Sequence, residues 1–332
     1  VVVLRDQVVP TRAAARTIVC PDRVGGADAE SVVVDFNDDV ALDTSQVQDS
    51  RGVGGRVALG GGGLGIVGLI VYFVLNSLGG VPASVPLSTD GVQRNQAVAN
   101  SDLAKECRTG KDANGKPDCA RVALINSIQG YWTDQFARSG RTYQQAPTLF
   151  FSGSVNTGCG GATADVGPFY CPADEKVYID LSFFRELQSK FGAQGGTFVE
   201  AYVLAHEYGH HVQNLLGTSG KVRRGSGPTS DSVRLELQAD CYAGVWANHA
   251  TSTPTSGGKP LIRSISQDDV NRALDAASRI GDDYIQQNLG GGRVDQSQFT
   301  HGSSAQREKW FLAGINSGNP TECDTFGARN LG

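Results

Sequence analysis

The sequence predicts an α+β protein, mainly helical with a small sheet, preceded by one transmembrane helix. Three observations predict it: a long uncharged apolar run early in the 332-residue chain, six later segments with helical periodicity, and two short β-branched or aromatic runs among them. The composition, 39% hydrophobic and 19% charged, is sufficient for a buried core. A formal net charge of -5 with no Lys/Arg-rich run excludes nucleic acid as a partner, because phosphate binding needs a basic surface.

The elements follow in order. The chain contains no methionine, so residues 1–34 read as a leader outside the translated protein, with Val33 or Val34 as the expected start. Residues 35–56, acidic and then Gly-rich, read as a short disordered cytoplasmic segment. From Val57 to Leu78 no residue is charged. At 1.5 Å per residue this run spans about 33 Å, enough for a hydrocarbon core of about 30 Å. A buried core helix and a signal peptide cleaved near Val81-Pro82-Ala83 are the rival readings. Arg51 and Arg56 precede the run closely and only Arg94 follows within twenty residues. This bias predicts a single-pass cell-membrane protein with a cytoplasmic N-terminus and an extracytoplasmic domain. Gly63-Leu64-Gly65-Ile66-Val67-Gly68 fits a dinucleotide fingerprint, but it lies inside the apolar run with no preceding strand, so no nucleotide cofactor is expected. The small residues Gly61 and Gly65 would instead let two membrane helices approach as a homodimer.

Residues 79–90, stiffened by Pro82 and Pro86, read as a linker, and residues 91–332 read as one globular domain. Helices are predicted at Cys119–Arg138, Leu181–Phe191, Thr197–Leu216, Asp231–His249, Ser266–Gln287 and Ser303–Ile315, and strands at Thr148–Phe151 and Val177–Asp180. Six of seven cysteines follow the apolar run, and an even count suits disulfides in an oxidising compartment. Cys107/Cys119 and Cys159/Cys171 each enclose a short polar loop, which favours local pairing and leaves Cys241 with Cys323. Fifteen connectivities are compatible with six cysteines.

The chemistry is concentrated in His206-Glu207-Tyr208-Gly209-His210, an H-E-x-x-H pattern. A T-x-x-E capping box at Thr197 and Glu200, with Gly217 as a stop, puts it on a helix. Positions 206 and 210 then lie about 40° apart, one turn along one face, so both imidazoles can grip one ion. Glu207 projects beside them, able to reach a water without being a ligand. The apolar flanks Phe198, Val199, Tyr202, Val203 and Val212 bury the helix, where unpartnered polar groups would be costly. Zinc needs a third protein ligand. Gln213 and Leu216 stand where a metzincin has Gly and His, so the ligand must come from elsewhere. Glu236-Leu237-Gln238-Ala239-Asp240 supplies it on the next helix: Glu236 as ligand, and Asp240, one turn on, accepting the second ring N–H of a ligating histidine. Gly209 and Ala239 are small enough for the two helices to approach closely.

These motifs resemble a gluzincin site. More narrowly, H-E-Y-G-H-H-V-Q-N (206–214), E-L-Q-A-D-C-Y-A-G-V-W (236–246) and T-H-G-S-S-A-Q-R (300–307), with the Gly-rich run before one membrane helix, resemble the bacterial family called putative neutral zinc metallopeptidases. The likeness covers roughly residues 35–326. It implies a zincin-like, membrane-anchored endopeptidase with one Zn2+ ion and a protein or peptide substrate. In such a site zinc lowers the pKa of its water and polarises the scissile carbonyl, while Glu207 takes the proton and later delivers it to the leaving amine. His301 is the expected donor to the developing oxyanion, since an S-x-x-Q capping box at Ser303 and Gln306 holds it just before a helix. Tyr178 and Tyr208 are weaker alternatives. His211 reads as structural and His249 as a helix-end residue. A proteolytically silent zinc-containing membrane scaffold is the alternative function; Glu207, unnecessary for structural zinc, counts against it.

Overall fold

The computed structural model describes residues 34–51, 102–223 and 225–332, all within one unit. The expected leader before Val34, the apolar run 57–78 and the linker 79–90 lie outside the described residues. Among the described residues no helix is long and apolar enough to cross a membrane. The strands are β1 (Asp35–Phe36), β2 (Val47–Asp49), β3 (Thr148–Phe151), β4 (Ser154–Thr157), β5 (Gly160–Thr163), β6 (Phe169–Cys171), β7 (Lys176–Asp180) and β8 (Ile262–Ser264). The helices are α1 (Gly110–Gly115), α2 (Pro117–Arg138), α3 (Phe183–Ser189), α4 (Thr197–Leu215), α5 (Asp231–His249), α6 (Gln267–Arg279), α7 (Asp282–Asn288) and α8 (Ser304–Ser317).

The main sheet has the order β2-β3-β7-β6, with β6 antiparallel to β7 and the other neighbours parallel. The sequence of β3, Thr-Leu-Phe-Phe, is apolar on both faces because both are covered. Phe150, Val177 and Ile179 join the main core with the helices, while Leu149, Phe151 and Tyr178 pack with Phe169 and Cys171 against Ala162 of the β4–β5 hairpin. Disulfides join Cys159 to Cys171, Cys107 to Cys119 and Cys241 to Cys323, the expected pairing.

Residues 35–51 correct the expectation of a disordered, separate segment. Here β1 pairs with β8 and β2 extends the main sheet along β3. Val34 and Phe36 are fully buried. The Asn114 side chain clasps the Phe36 main chain, accepting its N–H and donating to its carbonyl, both at 2.9 Å. Beyond β2, Arg51 bridges Asp49 and Asp118, and Arg121 bridges Asp118 and Glu200, at 2.6 to 2.8 Å. Strands of two and three residues are too short to show alternation, and their partners are more than a hundred residues away.

Two local expectations change as well. Helix α4 has Gly196 as its N-cap with no side-chain bond, so the Thr197 and Glu200 box does not form; Glu200 is engaged by Arg121 instead. The predicted helix 266–287 is broken at Ile280-Gly281 into α6 and α7. A Cβ at Gly281 would stand 2.4 Å from the Ser304 nitrogen, so the start of α8 occupies the space that a side chain would need. The Ser303 and Gln306 box on α8 forms as predicted.

Helices α4 and α5 cross at Gly209, where a Cβ would lie 2.9 Å from the Ala239 Cα and 3.0 Å from its carbonyl oxygen. Main-chain atoms cannot move aside as a side-chain tip can. Gly209→Val is therefore expected to cost about 1–3 kcal/mol of stability, measured as a lowered denaturant midpoint. An unchanged midpoint would show that the crossing tolerates separation.

Candidate metal centre

That crossing lays Glu236 of α5 against the H-E-x-x-H face of α4. His206 Nε2 is 3.2 Å from His210 Nε2 and 3.2 Å from Glu236 Oε2, and Glu236 Oε1 is 3.5 Å from His210 Nε2. Donors about 2.0–2.1 Å from a tetrahedral zinc stand ~3.3 Å from one another. The three side chains thus have the spacing of one coordination shell, and they are the group of three that could hold a metal among the described residues.

The surrounding bonds orient the two imidazoles. His206 Nδ1 lies 2.8 Å from Asp240 Oδ1. His210 Nδ1 lies 2.9 Å from Gln213 Oε1. The Gln213 amide is itself oriented, because its nitrogen donates to the Leu235 carbonyl at 2.7 Å and to Gln238 Oε1 at 3.2 Å. Both Nδ1 atoms therefore donate, which turns both Nε2 atoms toward each other and toward a carboxylate. Asp240 is fully buried and its remaining capacity is filled. Tyr202 donates to it at 2.6 Å, and Arg307 at 2.9 Å to each oxygen.

These contacts decide the charges. Burial alone would lower the pKa of His206, but Asp240 and Glu236 outweigh it and hold it up to about 10. Burial also favours protonated carboxyls at Glu236 and Asp240, yet His210 and His206 beside the first and Arg307 beside the second keep both below the usual carboxylate range. Glu207 goes the other way, because burial raises it more than His206 and His210 lower it. A metal ion held by His206, His210 and Glu236 would put a positive charge where the His206 Nε2 proton stands.

His301 lines the same cavity as the three donors, a cleft of about 360 Å³. Its Nδ1 is 3.1 Å from Asp282 Oδ1, and Asp282 Oδ2 accepts the backbone N–H groups of Thr300, His301 and Gly302 at 2.7 to 2.9 Å. The first turn of α7 thereby holds the loop before α8. Asp282, Arg307, Gln213 and Tyr202 escape the sequence reading. Gln213 was legible as a neighbour of His210 at helical spacing, and Arg307 closes the third motif block. Asp282 had no signal, because the break between α6 and α7 was hidden.

The other predicted residues stand apart. Tyr178 donates to Asp174 at 2.6 Å beneath the hairpin and does not line the cleft. Tyr208 bonds Thr148 and the Ala146 carbonyl inside the core. His211 is held between Tyr170 and the Gln144 carbonyl. His249, the last residue of α5, bonds the Gly318 carbonyl at the end of α8.

A small sheet beside two helices that present His-Glu-x-x-His and Glu-x-x-x-Asp across a close crossing has the form of a zinc-metallopeptidase-type centre. The chain belongs to the family described as "putative neutral zinc metallopeptidase", which it matches over residues 36–326. It is 47% identical to an uncharacterized protein of Mycobacterium tuberculosis (strain ATCC 25618 / H37Rv) over 256 residues, 76% of this chain and 84% of that protein. It is 37% identical to the uncharacterized protein YpfJ of Escherichia coli (strain K12) over 298 residues, 86% of this chain and 96% of that one. No solved structure shows significant similarity to the chain.

The Asp282–His301 pair has a definite pH signature. Its histidine is raised, since Asp282 overcomes the lowering by burial, and its aspartate is lowered, since His301 and the backbone donors overcome the raising by burial. The aspartate's contribution to stability is complete above its unfolded pKa of about 3.9 and is lost as pH falls through the lower folded value. The histidine's contribution is complete below about 6.5 and is lost as pH rises through the higher folded value. The difference in Tm between wild type and His301→Gln should therefore be largest between about pH 4 and 6.5. A flat difference from pH 3 to 9 would dissolve the pair.

Proposed function

We propose that the protein is a zinc-dependent endopeptidase with a zincin-like catalytic domain, working in an oxidising compartment at a membrane. The observation that carries this reading is the convergence of His206 Nε2, His210 Nε2 and Glu236 at 3.2 to 3.5 Å, with both histidines oriented by partners at Nδ1. His206, His210 and Glu236 would hold the zinc, which when bound would supply Lewis acidity to a water and to the scissile carbonyl. The chain's own residues do the rest. Asp240 and Gln213 hold the imidazoles in the ligating tautomer. Glu207, which follows His206 on α4 and lines the cleft, takes the proton from the attacking water. As the C–N bond breaks, it returns that proton to the leaving nitrogen. His301, anchored by Asp282, donates from Nε2 to the developing oxyanion. Strand β6 ends the main sheet beside the cleft, which Phe169 and Tyr170 line.

The disulfides support an oxidising compartment, and the uncharged run 57–78 supports attachment to a bilayer. With β2 paired to β3, this reading keeps residues 34–51 on the side of the domain, so the run 57–78 would enter and leave the bilayer on one face rather than cross it once. Compartment reporters placed before residue 34 and after residue 332 are expected to read the same side. Opposite readings would mean that β2 leaves the sheet in the cell.

The catalytic reading is tested by metal analysis paired with digestion of an unstructured protein. Wild type should carry one zinc and cleave, a chelator should stop cleavage, and added zinc should restore it. Glu207→Gln should keep the zinc and lose about 10²–10⁴-fold in rate, whereas His210→Ala and Glu236→Ala should lose the metal. Undiminished cleavage by Glu207→Gln would remove Glu207 as the base, and no cleavage by zinc-loaded wild type would defeat the peptidase reading.

A further inference from the structure

We infer that the Cys159–Cys171 disulfide is a thiol-exchange site in the wall of the cleft, opened by a soluble dithiol, and that its opening loosens the wall while the rest of the domain stays folded. The exchange itself does not rest on the peptidase reading; only its effect on cleavage does. Among the described residues six cysteines form three disulfides. Cys107, Cys119, Cys171, Cys241 and Cys323 are at most 2% exposed, whereas Cys159 is part-exposed and lines the cleft. A thiol arriving from solvent therefore meets this bond, and accessible disulfides are the labile ones.

The bond closes a loop from the tip of the β4–β5 hairpin to the end of β6, and residues 166–170 of that loop line the cleft. The hairpin has few buried contacts. Of residues 154–163 Ala162 alone is buried, while Val155 and Cys159 lie partly buried against the small core on that face. At the tip the Gly158 N–H donates to Asp174 at 2.7 Å. Segments packed this thinly open before the core does. The other four cysteines belong to the main core, where packing holds their elements together independently of the sulfur bonds.

The wall is connected to the metal-holding helix through Tyr170. His211 Nε2 donates to the Gln144 carbonyl at 2.6 Å, so its Nδ1 accepts from the Tyr170 hydroxyl at 3.0 Å, and that hydroxyl accepts from Asn214 at 3.1 Å. Tyr170 precedes Cys171, and His211 follows His210. Freeing Cys171 thus slackens the strand that leans on α4.

The exchange balances in two steps. A thiolate of the dithiol attacks the Cys159 sulfur, the bond to Cys171 breaks, and Cys171 leaves as a thiolate that takes a proton from solvent. The second thiol, having lost its proton to solvent, attacks its own sulfur in the mixed disulfide and releases Cys159. The protein disulfide is reduced by two electrons and the dithiol is oxidised to its disulfide.

In the test, the full chain is incubated under native conditions with graded dithiothreitol, free thiols are blocked with iodoacetamide, and labelled cysteines are located by mass spectrometry. Cys159 and Cys171 are expected to label together, at least about tenfold faster than the other four. Equal labelling of all six, or earlier labelling of another pair, would overturn the exchange site. Because dithiothreitol also binds zinc, the consequence is read in Cys159→Ala/Cys171→Ala, which lacks the bond without any reagent. Amide hydrogen exchange should rise about tenfold over residues 154–171 and stay unchanged in α4 and α5. The variant should keep its zinc and lose about tenfold in kcat/KM. Wild type alkylated at Cys159 and Cys171 after partial reduction gives a second reading of the same exchange pattern. Unchanged exchange over 154–171, or faster exchange throughout the domain, would overturn the loosening of the wall. Both readings stand without cleavage, so a zinc-loaded wild type that cuts nothing overturns the peptidase reading alone.

Discussion

The absence of a side chain at Gly209 is the constraint on which the rest of the site depends. Only there can α4 and α5 come close enough for a carboxylate of one helix to reach between two imidazoles of the other. With a Cβ at Gly209 the main chain at Ala239 would be pushed away, and the loss would be felt three residues off, at Glu236. Close packing transmits such displacements because the interior has no spare volume. The apolar residues around both helices convert one missing side chain into a defined donor spacing.

The crossing also creates an electrostatic demand, which the surrounding groups meet in layers. Two histidines and two glutamates are brought into a buried region where isolated charges are costly. Asp240, fully buried, is neutralised by Arg307 and bonded by Tyr202 and His206. A buried pair of this kind is weak evidence for stability by itself. Its value lies in orientation, since Arg307 and Tyr202 hold Asp240 where it meets His206 Nδ1. His301 and Asp282 repeat the device on the other wall of the cleft, with three backbone donors in the place of the arginine.

Much of this was legible in the chain. Thr148–Phe151 and Asp231–His249 occur with the predicted limits, and α2, α4 and α8 within two residues of theirs. Long periodic segments report their own burial, so the signal accumulates with length. The three cysteine pairs follow from short enclosed loops and a remainder. The elements that escaped are those with no local signature. Strands β1, β2 and β6 have two or three residues each, and a partner in another part of the chain is what makes them strands. The break at Gly281 escaped because the helical pattern continues across it and the obstacle, the start of α8, is elsewhere in sequence.

The sequence alone determined the residue types at helical spacing: two histidines one turn apart, a glutamate beside them, and a second acidic pair on the next buried helix. Those relations are set by the 3.6-residue turn and need no tertiary contact. Tertiary structure decided everything that depends on distance across elements. It decided that Glu236 stands 3.2 Å from His206, that Gln213 orients His210, that Asp282 and Arg307 belong to the site, and that residues 35–51 form part of the domain. Side-chain direction along one helix is a local property, whereas the separation of two helices is the outcome of every contact in the core.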